Sequence, residues 1–212
     1  MYAYSKDQGK TWINSAGQAI DGLPCLNTPG ITVANISPAH GLPSMHGQAV
    51  DSLGRIHTVM LHCTDESLAA AGSKAGETRW GLAAARRYQH YWRDSNGKWQ
   101  HRELPWVAGN RAKVFIDKQD NLYLIYGEKH KISGSKKYYG PLNLCVAAAT
   151  ANAAYRDWKV IYREKGMFFN EMLIDPYRWD KDRILSVMVQ EHPQKPRQST
   201  PLYILDLAIK HE

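Results

Sequence analysis

Three stretches of this 212-residue chain end a short apolar run on an aspartate: Gln48-Ala49-Val50-Asp51, Val114-Phe115-Ile116-Asp117 and Met172-Leu173-Ile174-Asp175. The aspartates lie 66 and 58 residues apart. After Asp51 and Asp117 the chain turns through Ser52-Leu53-Gly54 and Lys118-Gln119-Asp120-Asn121, and Asp94-Ser95-Asn96-Gly97 makes a similar turn between them. A short carboxylate accepts hydrogen bonds from amides two residues on, and Gly or Asn tolerates the left-handed backbone of a tight reversal, so each turn joins two strands. The flanking runs are rich in Val, Ile, Tyr and Trp and show almost no helical periodicity. An all-β chain built from a weak repeat follows.

Composition narrows the partners. With 43% hydrophobic and 22% charged residues the balance is globular. The longest apolar runs, such as Val146 to Ala149, fall far short of the roughly 18 residues of a membrane-spanning helix. A net charge of +7 points to a polyanion. No zinc-knuckle, RNP or helix-turn-helix pattern directs that charge at nucleic acid, the one dense basic stretch is Lys129 to Lys137, and an acidic polysaccharide fits the charge equally well. Oligomeric state is not readable. Cys25, Cys63 and Cys145 are odd in number and widely spaced, which makes neither a disulfide framework nor a four-ligand zinc site. The first residues, Met-Tyr-Ala-Tyr-Ser-Lys-Asp, lack the basic start and apolar core of a secretion signal.

Ser5-Lys6-Asp7-Gln8-Gly9-Lys10-Thr11-Trp12 matches S-x-D-x-G-x-T-W at every specified position. It resembles the Asp-box of sialidase-type β-propellers, where the acidic side chain ties turn amides, Gly relieves a positive φ and Trp covers the blade edge. The resemblance implies a propeller of four-stranded antiparallel blades. Residues 1–30 would be the tail of a preceding blade, and complete units would span 44–105, 110–164 and 169–208. Strands are expected near 45–51, 55–62, 86–93 and 98–104, then 111–117, 121–127, 143–149 and 157–163, then 170–175, 183–190 and 201–207. The excursion from Thr64 to Ala85 reads as a long functional loop, with a short helix around Leu82 to Arg87 as the alternative. About three blades and part of another make an arc of a larger propeller, since propellers close with four to eight.

In such a fold the first strand of each blade lines the channel. Counting back from the turn aspartates places His46, Arg111 and Asn170 at one end of those strands. In Tyr88-Gln89-His90-Tyr91-Trp92-Arg93, alternation puts Tyr91 on one side with Gln89 and Arg93, and His90 on the other with Trp92.

His90-Tyr91-Trp92-Arg93-Asp94 with Gly97-Lys98-Trp99, then Gly109-Asn110-Arg111-Ala112-Lys113, then Ile174-Asp175 with Arg178-Trp179 and the Ile184 to Gln190 run, resemble BNR-repeat propellers that include ulvan lyases and related rhamnose-glucuronate lyases. That resemblance implies β-elimination at a uronate. A cation neutralises the C6 carboxylate, a base removes the C5 proton, and an acid protonates the leaving O4. Arg111 is the expected neutraliser, because guanidinium pairs bidentately with carboxylate. The resemblance gives Tyr91 the acid and base work with His46 beside it. A Tyr titrating near ~10 needs a cation such as Arg111 to lower that value, so His46 as base with Tyr91 as acid stays open.

Asn110, His57, His90, Arg93, Tyr139 and Asn170 are the expected substrate contacts, and Trp80, Tyr138 and Tyr139 are candidate stacking platforms in long loops. The family carries a further site His where this chain has Leu26 and Asn27; His40 is nearby, and His57 and His62 are substitutes. No metal site is expected, and no cofactor is required beyond room for a structural cation. A non-catalytic glycan-binding propeller is the first rival. A sialidase-like hydrolase, for which Glu171 and Asp175 are the available acids, is the second. An extracellular or periplasmic setting is what the family and a polymeric substrate imply.

Overall fold

The structure is a computed structural model and describes residues 1–42, 47–78, 81–131 and 138–209. It is almost entirely antiparallel β-sheet. The first sheet holds β1 (Ala3–Tyr4), β2 (Trp12–Asn14) and β3 (Ala19–Ile20) in that order. The motif between β1 and β2 closes on itself. Asp7 accepts from the Thr11 amide (2.9 Å) and hydroxyl (2.7 Å), Ser5 Oγ accepts from the Gly9 amide (2.7 Å), and Gly9 sits at φ +88°. These donors, the Thr11 amide foremost, pull the Asp7 carboxyl down to about 2.

The second sheet runs β4 (Gly47–Val50), β5 (Ile56–His62), β6 (Arg87–Arg93), β7 (Trp99–Val107). The third has six strands in the order β13-β12-β11-β10-β9-β8: β8 (Lys113–Ile116), β9 (Leu122–Lys131), β10 (Tyr138–Ala149), β11 (Lys159–Ile174), β12 (Ile184–Glu191) and β13 (Leu202–Ala208). The two strands expected at 157–163 and 170–175 are one continuous strand. The first part of β11 pairs with β10 and its last part with β12, the register shifting between Phe169 and Leu173.

The acidic turns explain the repeat. Asp51, Asp94 and Asp117 each accept two backbone amides on one oxygen at 2.7–3.0 Å, which closes the hairpin. Asp175 does the same to Tyr177 and Arg178, but Pro176 follows it. Proline at the first helical position turns this cap into a helix, α2 (Pro176–Asp182). Trp179 of α2 is buried and donates from its indole to Ile116 O at 2.9 Å. The Thr64 to Ala85 excursion also differs from a plain loop. It contains α1 (Asp65–Ala71), opened by a Thr64/Ser67 capping box and ended by Gly72 at φ +63°. At Gly81–Ala84 there is only a single 3₁₀ turn, and Arg87 is already strand.

Residues 114–115, 122–127 and 142–147 of β8, β9 and β10 are buried on both faces, which is why they read as nearly continuous apolar runs. Val114, Leu124, Tyr126 and Cys145 pack against Val59, Leu61, Tyr88, Trp92 and Leu104 of the second sheet. Their alternates Phe115, Tyr123, Ile125, Leu144 and Val146 pack against Met172, Trp179, Leu185, Val187 and Val189. Sheets stacked face to face around an arc are the architecture of a partial β-propeller. On the far face of the last strands, Leu173, Met188 and Ile204 form an exposed cross-strand row.

Candidate functional site

Two groups of side chains are candidates, one on β5, β6 and β7 around Tyr91 and one on the β7-to-β8 segment and the late residues of β11 around Arg111. Tyr91 stands in the middle of β6, paired with Thr58 and His101 across the sheet. Its hydroxyl lies 3.0 Å from His62 Nε2, at the end of β5. His62 Nδ1 lies 2.8 Å from Cys63 O, an atom that only accepts, so Nδ1 carries the proton and Nε2 offers its lone pair. Tyr91 therefore donates to His62. Burial pushes the Tyr91 phenol up to about 12 and holds His62 below the usual histidine value, the Cys63 carbonyl opposing it. At neutral pH the pair is phenol and neutral imidazole. Burial thus moves the phenol away from the lowered value that duty as a free base requires.

His101 stacks on Tyr91 with ring centroids 4.5 Å apart. It meets Gln89 Oε1 through Nε2 at 2.7 Å, Gln89 donates to Glu103 at 2.7 Å, and Glu103 also accepts from Thr64 Oγ1 at 3.0 Å. Gln89 and His101 are thereby held on the face that carries Tyr91. His40 lies at the rim, 3.2 Å from Asp65. His62 was weighed from sequence only as a substitute, and His101, Gln89 and Glu103 were not singled out. The signal for the last three is register: across the Asp94 turn, Tyr91 faces His101 and Gln89 faces Glu103.

Arg111 follows β7 and forms an ion pair with Glu171 of β11, both side chains partly exposed. Its neighbour Asn110 is held from three directions. Asn110 O accepts from the buried Tyr88 hydroxyl at 2.8 Å, Oδ1 accepts from the Gly127 amide at 3.2 Å, and Nδ2 donates to Met172 Sδ at 3.7 Å. Gly127 has to be glycine here, since a Cβ would fall 2.5 Å from Leu142 and 3.0 Å from Asn110.

The remaining expected residues fall elsewhere. His57 and His90 meet each other at 3.2 Å, with no exposed surface, inside the core between the second and third sheets and on the opposite face of β6 from Tyr91. There they pack against Tyr155, and His90 against Trp92 and Trp158, where a sugar does not reach. Arg93 is a tie to the first sheet: it donates to Ser15 O at 2.7 Å and Gly97 O at 3.1 Å and lies over the Tyr2 ring. Tyr139 and Asn170 are placed by their strands, β10 and β11, and their side chains lie outside those described. His46 and Trp80 lie outside the described residues, as does most of the Lys129 to Lys137 stretch. Among the described residues no cluster of three or more His, Cys, Asp or Glu is placed to hold a metal ion, and no helix is long and apolar enough to cross a membrane.

Residues 1–106, half of the chain, match the BNR repeat-containing family. No curated protein matches the chain. Among solved structures it is similar to the crystal structure of polysaccharide lyase Uly1, with a TM-score of 0.52 and 16% identity over 96% of this chain and 38% of that one. It thus spans less than two-fifths of that lyase's length, and at this identity the likeness is one of fold. With a family match over the first sheet, all but the last residue of the second sheet and the Tyr91–His62 pair, this partial β-propeller belongs to the BNR repeat-containing family.

Proposed function

We propose that this chain is the catalytic part of a carbohydrate-active propeller, a polysaccharide lyase that cleaves a uronate-containing glycan of the ulvan or rhamnose-glucuronate kind by β-elimination. The observation that carries the reading is the Tyr91 hydroxyl donating to a histidine nitrogen whose tautomer is fixed from behind. A phenol near 12 is the wrong species for a free base and the right one for an acid. Tyr91 removes the C5 proton only if it hands its own proton to His62 Nε2 in the same step; it then protonates the departing O4, and His62 returns the borrowed proton. The net transfer is from C5 to O4. Arg111 neutralises the C6 carboxylate, which is what acidifies C5. His46 and Asn170 belong to the same proposal by their sequence positions. Cleavage of a polymer too large to enter a cell implies an extracellular or periplasmic setting.

One observation favours glycan binding without cleavage: Tyr91 is only 6% exposed. The hydrolase alternative loses support. Glu171 is engaged by Arg111, and Asp175 is used as the cap of α2. Incubation with ulvan and with other glucuronate polymers, followed by ultraviolet absorbance, tests the proposal. A rising signal from an unsaturated uronyl end that is lost in Tyr91→Phe and Arg111→Ala supports it. Binding of the same polymers with no signal assigns the binding role instead.

A further inference from the structure

Arg111 already holds a carboxylate. Its partner Glu171 comes from a different strand, 60 residues on, and the pair sits at the surface, with the arginine side chain 32% exposed and the glutamate 18%. Glu171 is not what fixes the arginine's backbone. That is done by the bonds Asn110 makes with Tyr88, Gly127 and Met172, none of which involves Glu171.

Because the pair is partly open to solvent, a second carboxylate of the same geometry can exchange for the first. A neutral sugar hydroxyl cannot do so, being a poorer acceptor for guanidinium. We infer that Glu171 is an internal stand-in for the substrate carboxylate, occupying the Arg111 guanidinium until a uronate displaces it. This rests on the lyase reading of Arg111. Binding is then an exchange: the acidic chain replaces Glu171 at the cost of the internal pair, and the neutral chain leaves that pair in place.

The test is affinity, measured by calorimetry with a glucuronate oligosaccharide and with its carboxyl-reduced counterpart, for the wild-type chain, Glu171→Gln, Glu171→Ala, Arg111→Ala and Asp180→Asn. Asp180 is exposed on α2 and changes net charge equally. Both Glu171 variants are expected to bind the acidic ligand about twofold to fivefold more tightly than Asp180→Asn does, the range set by the usual strength of a partly exposed ion pair. Their preference for the acidic over the reduced ligand widens, because a hydroxyl gains less than a carboxylate from the freed guanidinium, and the gain disappears when the Glu171 variants are made in an Arg111→Ala background. Unchanged or weaker binding in Glu171→Gln, with its melting temperature retained, overturns the inference and makes Glu171 a residue that orients Arg111. The lyase reading is scored separately by the unsaturated product of the wild type. Absence of that product with the affinity pattern intact removes the lyase reading and leaves the carboxylate competition standing.

Discussion

Lowering the pH below 7 should destabilise this fold through its buried histidines. His57 has no exposed surface, and burial pulls it from 6.5 down to about 4, with the Asp51 carboxylate partly opposing. His90 is lowered further in the same direction, by burial first and then by His57, Arg102 and His101. Asp51 Oδ2 stands 3.6 Å from His57 Nε2, and His57 Nδ1 stands 3.2 Å from His90 Nε2. The tautomers that aim each N–H at an acceptor put the His57 proton on Nε2 toward Asp51, at a separation longer than a hydrogen bond, and the His90 proton on Nε2 toward His57. Below the unfolded value of 6.5 the unfolded chain takes up protons that the folded one refuses. The neutral-buried contribution is therefore complete above 6.5 and is lost progressively as pH falls toward 4. For His57 alone the loss amounts to about 3 kcal/mol, at roughly 1.4 kcal/mol per pH unit. Urea unfolding at pH 7.5, 6.0, 5.0 and 4.5 measures it. His57→Gln, which cannot titrate, should flatten the dependence by most of that amount, even though His62, His90 and His101 still contribute in the same sense. An equal slope in wild type and His57→Gln would refute the reasoning.

Other outcomes follow from the same geometry. His62→Phe removes the acceptor of the Tyr91 hydroxyl and should lower kcat for glucuronate polymer about 10²- to 10⁴-fold, with KM little changed, in steady-state assays. Because it also leaves a buried hydroxyl unpaired, it should cost about 1–3 kcal/mol in urea unfolding. Trp179→Ala, which empties the space α2 fills against Phe115 and Tyr123, should cost about 3–5 kcal/mol by the same method. Asp7→Ala opens only the first turn: the Thr11 amide should exchange its hydrogen faster while the second and third sheets keep their protection.

Much of the fold was legible because its punctuation is chemical. Asp51, Asp94 and Asp117 close their turns with the amide bonds that the residue type dictates, and the strands flanking them fall within a few residues of expectation. What escaped was decided by longer-range packing. β11 runs unbroken from Lys159 to Ile174 because its two halves serve different neighbours, which no local pattern records. α1 and α2 are too short for periodicity, although the Thr64/Ser67 box and Asp175-Pro176 are readable cap signals. At the site, alternation correctly separated Tyr91 from His90. It could not show that the His90 face is sealed by the next sheet, nor that the last residue of β5, His62, reaches Tyr91 from the adjacent strand. Tertiary contact, not residue type, makes that pair.

The most direct test of the central claim is the mass of the products released from a defined glucuronate oligosaccharide. Elimination breaks the C4–O4 bond without adding water, so the account predicts fragments whose masses sum to that of the substrate, one of them ending in an unsaturated uronate, and none from Tyr91→Phe. Fragments that together exceed the substrate by one water, or an undiminished yield from Tyr91→Phe, would contradict it.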